Sequence, residues 1–324
     1  MNDSGETDES RLSRRTVLRA ASGTVTLSVA GSGRVGASGA ATATRGETQA
    51  LFDRRCPDAT LQPSMGYCAD SSTAGCTDDH PETVELQRAV RTSLETRYPD
   101  VGALVDAGFK PYFDVLGGGE GWSHWLSPEH IGDEGVVDPE RPEAVLVDNH
   151  SWRSIGVMFI ATRNGERVEP PTIYDADGTV SDGDEHGGSG HGNGHGKPPA
   201  DDPTRCAPWH YHAGAPGRFA WWFYQQVYER EYADGDVTVD TDAEFPCRTP
   251  CMMHVWIVDH PEGVYAHDGP PPEYRERPPA DDPGFETDAE PGEDDLGWDV
   301  LPEEVVPDRR PDSFAHLSPL SNRR

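Results

Sequence analysis

The chain predicts an α+β fold: a mostly antiparallel sheet with N-terminal helices and one aromatic helix packed on it. Three observations carry this reading. Helical periodicity is confined to residues 81–107 and to an aromatic segment at 218–232. Short β-branched or apolar runs recur at 109–116, 143–148, 155–161 and 254–258. Helices do not alternate regularly with these runs, which disfavours a parallel α/β sheet.

Taken in order, residues 1–45 read as a leader. Ser13-Arg14-Arg15-Thr16-Val17-Leu18 precedes a mild apolar run from Ala20 to Ala30 and a small-residue patch, Gly36 to Ala40. The pattern resembles a twin-arginine export signal. Its apolar run is too short for a stable membrane span, so no transmembrane anchor is expected in the mature chain. Residues 46–80 form an irregular arm carrying Cys56, Cys68 and Cys76. Cys206, Cys247 and Cys251 follow much later. Six cysteines in an exported protein imply disulfides, with fifteen connectivities open; thiolate ligation of a metal by the three late cysteines is the competing role.

The core domain is expected over residues 81–268. Asp79-His80-Pro81-Glu82 is a helix start, with a cap, a proline in the first turn and an acid near the positive end of the helix dipole. Leu86, Ala89, Val90, Ser93 and Leu94 follow at spacings of three and four, and Pro99 ends the helix. A second helix over 101–107 stops at Gly108, a C′ position. Asn149-His150-Ser151 joins two predicted strands as an antiparallel hairpin. Residues 181–203 are a low-complexity His/Gly-rich insertion, and among so many glycines His186, His191 and His195 are not expected to hold a fixed geometry. The acidic, Pro-rich tail 269–324 holds few apolar residues to offset ordering entropy and is expected to be disordered or loosely draped.

With 58 acidic against 27 basic residues the net charge is −31, and only Lys110 and Lys197 are lysines. Such a surface suits multimolar salt, where the Debye length falls to about 3 Å and carboxylates stop repelling one another. It excludes nucleic acid as a partner, since phosphates would be repelled.

The chemistry-bearing residues are histidines. In an extended segment residues i and i+2 share a face, so His210 and His212 aim together. His254 opens the apolar run His-Val-Trp-Ile-Val, and His124 lies between Ser123 and Trp125. His124, His210, His212 and His254 thus make a plausible site for a metal ion, zinc or copper. His130, His150, His260 and His267 lie near turns and read as structural. No Gly-x-Ser-x-Gly elbow and no His-Glu-x-x-His helix is present, and no reaction is indicated.

The chain also resembles a widespread, functionally uncharacterised family of small exported proteins. The likeness rests on Asp106-Ala107-Gly108-Phe109, Ser123-His124-Trp125, the run from Asp138 to Leu146, and a closing motif from His254-Val255-Trp256 through Pro261-Glu262-Gly263-Val264-Tyr265-Ala266. It covers roughly residues 84–268. Relatives place a histidine where Pro250 stands, a glutamate at Met158 and Asn-Pro at His260-Pro261. The resemblance implies membership and no activity. Two functions remain open at this point: a secreted, salt-adapted metal-binding protein, or a disulfide-stabilised extracellular module without metal or catalysis.

Overall fold

The computed structural model describes residues 56–113, 121–175, 203–230 and 245–307, all within one compact unit, Gly46–Arg324. The leader, the glycines at 117–119, the His/Gly-rich stretch through residue 202 and residues 308–324 lie outside the described residues.

Antiparallel pairing dominates. Strands β1 (Met65–Tyr67), β2 (Lys110–Tyr112), β3 (Trp122–Leu126), β4 (Ala144–Asp148), β5 (Ser154–Ile160), β8 (His210–His212) and β9 (Met252–Trp256) form one sheet in the order β1-β8-β9-β5-β4-β3-β2. A small hairpin, β6 (Thr162–Arg163) with β7 (Glu166–Arg167), stands apart from it. Every residue of β4, β5 and β9 is buried. Both faces of the sheet are covered, which is why these runs lack the polar alternation of a half-exposed strand.

One face carries α1 (Pro81–Arg97) and α2 (Val101–Asp106). His80 caps α1, its Nδ1 accepting from the Glu82 N–H at 3.3 Å, and Asp100 caps α2 through the Ala103 N–H at 3.1 Å. Gly108 follows at φ 80°, a conformation open chiefly to glycine. Val90, Leu94 and Leu104 pack with Val145, Val157 and Val255 on this side. A short α3 (Pro128–Ile131) follows β3. The other face meets α4 (Ala215–Phe223), which continues as one π-helical stretch, Tyr224–Glu229. Phe219, Trp222 and Phe223 pack there with Leu126, Met158 and Ile160, so the aromatic segment covers the sheet as expected. It begins earlier than 218, because Pro216 sits in its first turn behind an N-cap at Gly214.

Each early cysteine is bonded to a late one: Cys56 to Cys247, Cys68 to Cys251 and Cys76 to Cys206. No cysteine is free, so thiolate ligation is excluded. Full pairing is the habit of chains in oxidising compartments. No helix among the described residues is long and apolar enough to cross a membrane.

Residues 269–307, expected to be disordered or loosely draped, lie against the core. Ala280, Leu296, Leu301 and Val305 are buried in the α1/α2 side of the core. The segment wraps the β4–β5 turn, whose carbonyls at Asn149, His150 and Ser151 accept from Leu296, Gly292 and Ala280. Arg275, at the end of α5 (Pro272–Arg275), makes a buried ion pair with Asp148 at 3.0 Å. Few apolar residues suffice because each fills a groove and the turn satisfies the backbone.

Candidate metal centre

The site lies on the α4 face of the sheet. His210 and His212 alternate with Tyr211 on β8, and His254 is central on β9, one strand away. His124 is on β3, three strand steps from β9. A flat sheet would separate those strands by about 14 Å, yet the His124 and His254 ring centres are 5.9 Å apart. The sheet is therefore strongly curled, concave toward α4. Gly156 permits part of this curl, since a Cβ there would lie 2.9 Å from both the Trp256 ring and the Val255 carbonyl. A register shift between Leu146 and Val147 on β4 adds to it.

A fifth imidazole enters from the chain that follows β9. Residues 261–266 fold back along the strand: Trp256 donates from its backbone to the Val264 carbonyl at 3.0 Å and from Nε1 to the Ala266 carbonyl at 2.9 Å. Gly263, at φ 93°, makes the turn. His267, the next residue, is thereby set beside His210 and His212. Its ring centre is 4.7 Å from that of His210 and 5.1 Å from that of His212, while His210 lies 5.4 Å from both His212 and His254. Imidazoles sharing a tetrahedral ion have ring centres about 5 Å apart, given metal–nitrogen bonds of about 2.0–2.1 Å. One nitrogen each from His210, His212 and His267 lies within 4.8 Å of the other two. These three form a cluster that could hold a metal ion.

The hydrogen bonds prepare the nitrogens for that role. His254 Nδ1 is bonded to the His267 carbonyl at 2.8 Å and His267 Nδ1 to Asp268 Oδ1 at 2.7 Å. His210 is held through the Pro208 carbonyl. In each of the three the Nε2 is buried and has no partner. An oxygen acceptor fixes the proton on Nδ1 and leaves the Nε2 lone pair exposed to the site, the arrangement that orients metal-binding histidines. A buried nitrogen left without a partner carries a desolvation penalty of about 1–3 kcal/mol, which a bound ion would offset.

Burial also keeps the rings uncharged. It holds His124 down at about 4 and His212 at about 3, with neighbouring imidazoles adding to the effect. His210 and His254 are pushed well below the ordinary histidine range, first by burial and then by the other rings. At neutral pH these imidazoles offer lone pairs, not protons.

Above the histidines opens a cavity of about 460 Å³. His124, His212, His254 and His267 reach it, and Tyr112, Trp122 and Trp221 supply apolar wall. Helix α4 lies flat against the site at Gly217, where an added Cβ would fall 2.4 Å from the His212 Cβ. On the opposite rim Trp122 packs on Gly269, where a Cβ would meet the indole nitrogen at 2.2 Å.

Of the four histidines singled out from the sequence, His210 and His212 belong to this cluster with His267, His254 lies beside His210, and His124 beside His254. His130, His150 and His260 stand apart in structural roles; His130, for example, is bonded to the Pro142 carbonyl at 2.8 Å. His267, which the sequence places near a turn as a structural residue, instead belongs to the cluster. The signal for it was the Pro261-Glu262-Gly263 turn, which reverses the chain and returns residue 267 to the level of 254. No protein-family profile, curated protein or solved structure gave a match to this chain, so the reading below rests on the site itself.

Proposed function

We propose that this is an exported, salt-adapted protein that binds a transition metal, zinc or copper, through His210, His212, His254 and His267, with His124 at the rim. The observation that carries the reading is the set of three buried, unpartnered Nε2 atoms on His210, His254 and His267, each on a ring whose other nitrogen is engaged. Imidazole donors suit both metals, and the apolar wall would exclude competing water. The ion itself would supply Lewis acidity to whatever small molecule entered the cavity; the chain supplies the donors, their orientation and the dry surroundings. Membership in the uncharacterised exported family belongs to the same proposal. Its support is that the closing motif is what returns the chain to the site.

The test is metal content. Protein purified without a His tag from concentrated salt should carry close to one zinc or copper per chain by elemental analysis. Metal at a thousandfold excess over its dissociation constant should raise stability by about 4 kcal/mol. His210→Ala or His254→Ala should abolish tight binding, while deleting residues 181–197 should leave it intact. Wild-type protein that stays metal-free after equilibration with both ions would refute the proposal.

A further inference from the structure

The sheet pairs the clustered histidines with methionines. Met65 on β1 stands opposite His212, Met252 on β9 opposite His210, and Met158 on β5 opposite His254. Directly opposed residues of antiparallel strands share a face, with Cβ atoms about 4.5–5.5 Å apart. All three methionines line the same cavity as His124, His212 and His254. The chain holds only five methionines, one of them at position 1. Three of the remaining four therefore surround this site, while Met253 faces the other side of the sheet with the α1/α2 core.

A methionine side chain is unbranched and turns freely enough to aim its sulfur at a partner one strand away. Thioether sulfur is a soft donor. It adds little for zinc, which imidazole already satisfies, but it selects copper in its cuprous state. A packing role alone would be filled as well by leucine or isoleucine, which occupy the neighbouring positions Leu126, Leu146 and Ile160 on this face.

We infer that the cavity is a cuprous copper site in which Met65, Met158 and Met252 offer thioether sulfur beside the imidazoles. This rests on the metal-binding reading above and narrows it to one ion and one oxidation state. The donors come in opposed His–Met pairs on neighbouring strands, so imidazole and thioether approach an ion in the cavity from the same concave floor. Cupric ion, which prefers nitrogen and oxygen donors in a tetragonal array, gains less from this set.

The experiment compares two metals on one set of variants. Copper(I), stabilised with acetonitrile under anaerobic conditions, is titrated against the chromophoric chelator bicinchoninate, with no thiol reductant present because the three disulfides must survive. Zinc is titrated in parallel against a zinc indicator. Met65→Leu, Met158→Leu and Met252→Leu are made singly and together; the exchange conserves volume and apolar character and removes the sulfur. The triple variant should lose about tenfold or more in copper(I) affinity while zinc affinity stays within about threefold, the difference expected of a soft donor. Unchanged copper(I) affinity in the triple variant overturns the inference and leaves the histidine site standing. Equal loss of both metals also overturns it, since that marks the methionines as packing. Wild-type protein that binds neither metal overturns this inference together with the proposal it rests on.

Discussion

Replacing Cys68 and Cys251 together by alanine tests how the disulfide network holds the site. The bond between them follows β1 and precedes β9. It matters there because β8 is joined to β9 by a single residue pair, His210 with Met252. Taken alone, the crosslink spans 183 residues, for which chain entropy gives about 5 kcal/mol. The bond does not act alone. With Cys56–Cys247 intact, the shortest covalent path from position 68 to position 251 goes back to Cys56, across, and forward from Cys247. That loop has about 16 residues, so removing the bond should cost about 3 kcal/mol. In a unit of this size the melting temperature should fall by about 6–12 °C. Thermal and denaturant unfolding of the oxidised double variant would measure this, with mass spectrometry confirming that the other two bonds remain. A loss near 5 kcal/mol would show that the bonds act independently, and one below about 1 kcal/mol that the folded strands need no staple; either result refutes the nested-loop argument. Metal affinity measured on the same variant reads whether β8 has loosened from β9.

Three further outcomes follow from the site. Asp268→Asn removes the charge from the acceptor that holds His267 Nδ1, and metal affinity by competition titration should fall by about 10–100-fold, with little change in the stability of the metal-free protein. Gly217→Ala should gain helix propensity of about 1 kcal/mol yet displace His212, whose Cβ would lie 2.4 Å from the new methyl group; calorimetric titration should show weaker metal binding, and unchanged binding would disprove the close fit. Acid should destabilise the metal-free protein. His124 and His212 are depressed to about 4 and about 3 in the folded chain, whereas the unfolded chain takes up protons near the ordinary histidine value. Stability is then fully present above about pH 6.5 and is lost as pH falls toward 4, each such imidazole adding a slope of about 1.4 kcal/mol per pH unit. Denaturant midpoints between pH 7 and pH 4 should show this slope, and His212→Gln should reduce it.

The local chemistry of the chain is legible in its sequence. His80 and Pro81 marked the start of α1, Gly108 the end of α2, and the β-branched runs marked β4, β5 and β9, because each signal acts within a few residues. The His-x-His pair on β8 was legible for the same reason: alternation along a strand fixes which residues share a face. What the sequence did not reveal depends on distance. His267 gains its place only because the chain reverses at Gly263 and lies along β9. The partner of each cysteine depends on which strands neighbour one another, and composition says nothing of that. The acidic segment after residue 268 looked too polar to pack, yet Leu296, Leu301 and Val305 find grooves that α1, α2 and the β4–β5 turn create together.

The disulfides have a consequence for proteolysis. Each bond joins a residue at or before Cys76 to one at or after Cys206. A protease that cuts once anywhere between those two positions, the His/Gly-rich stretch included, leaves two fragments still tied by three covalent bonds. A cut between Cys206 and Cys247 leaves them tied by two. Nicked protein would therefore run as a single species on a non-reducing gel and as two after reduction. Both β8 and β9 lie on the C-terminal side of a cut in the His/Gly-rich stretch, so His210, His212, His254 and His267 would travel on one fragment. His124 would stay on the other, joined to them covalently only through the disulfides and otherwise by the pairing of β5 with β9.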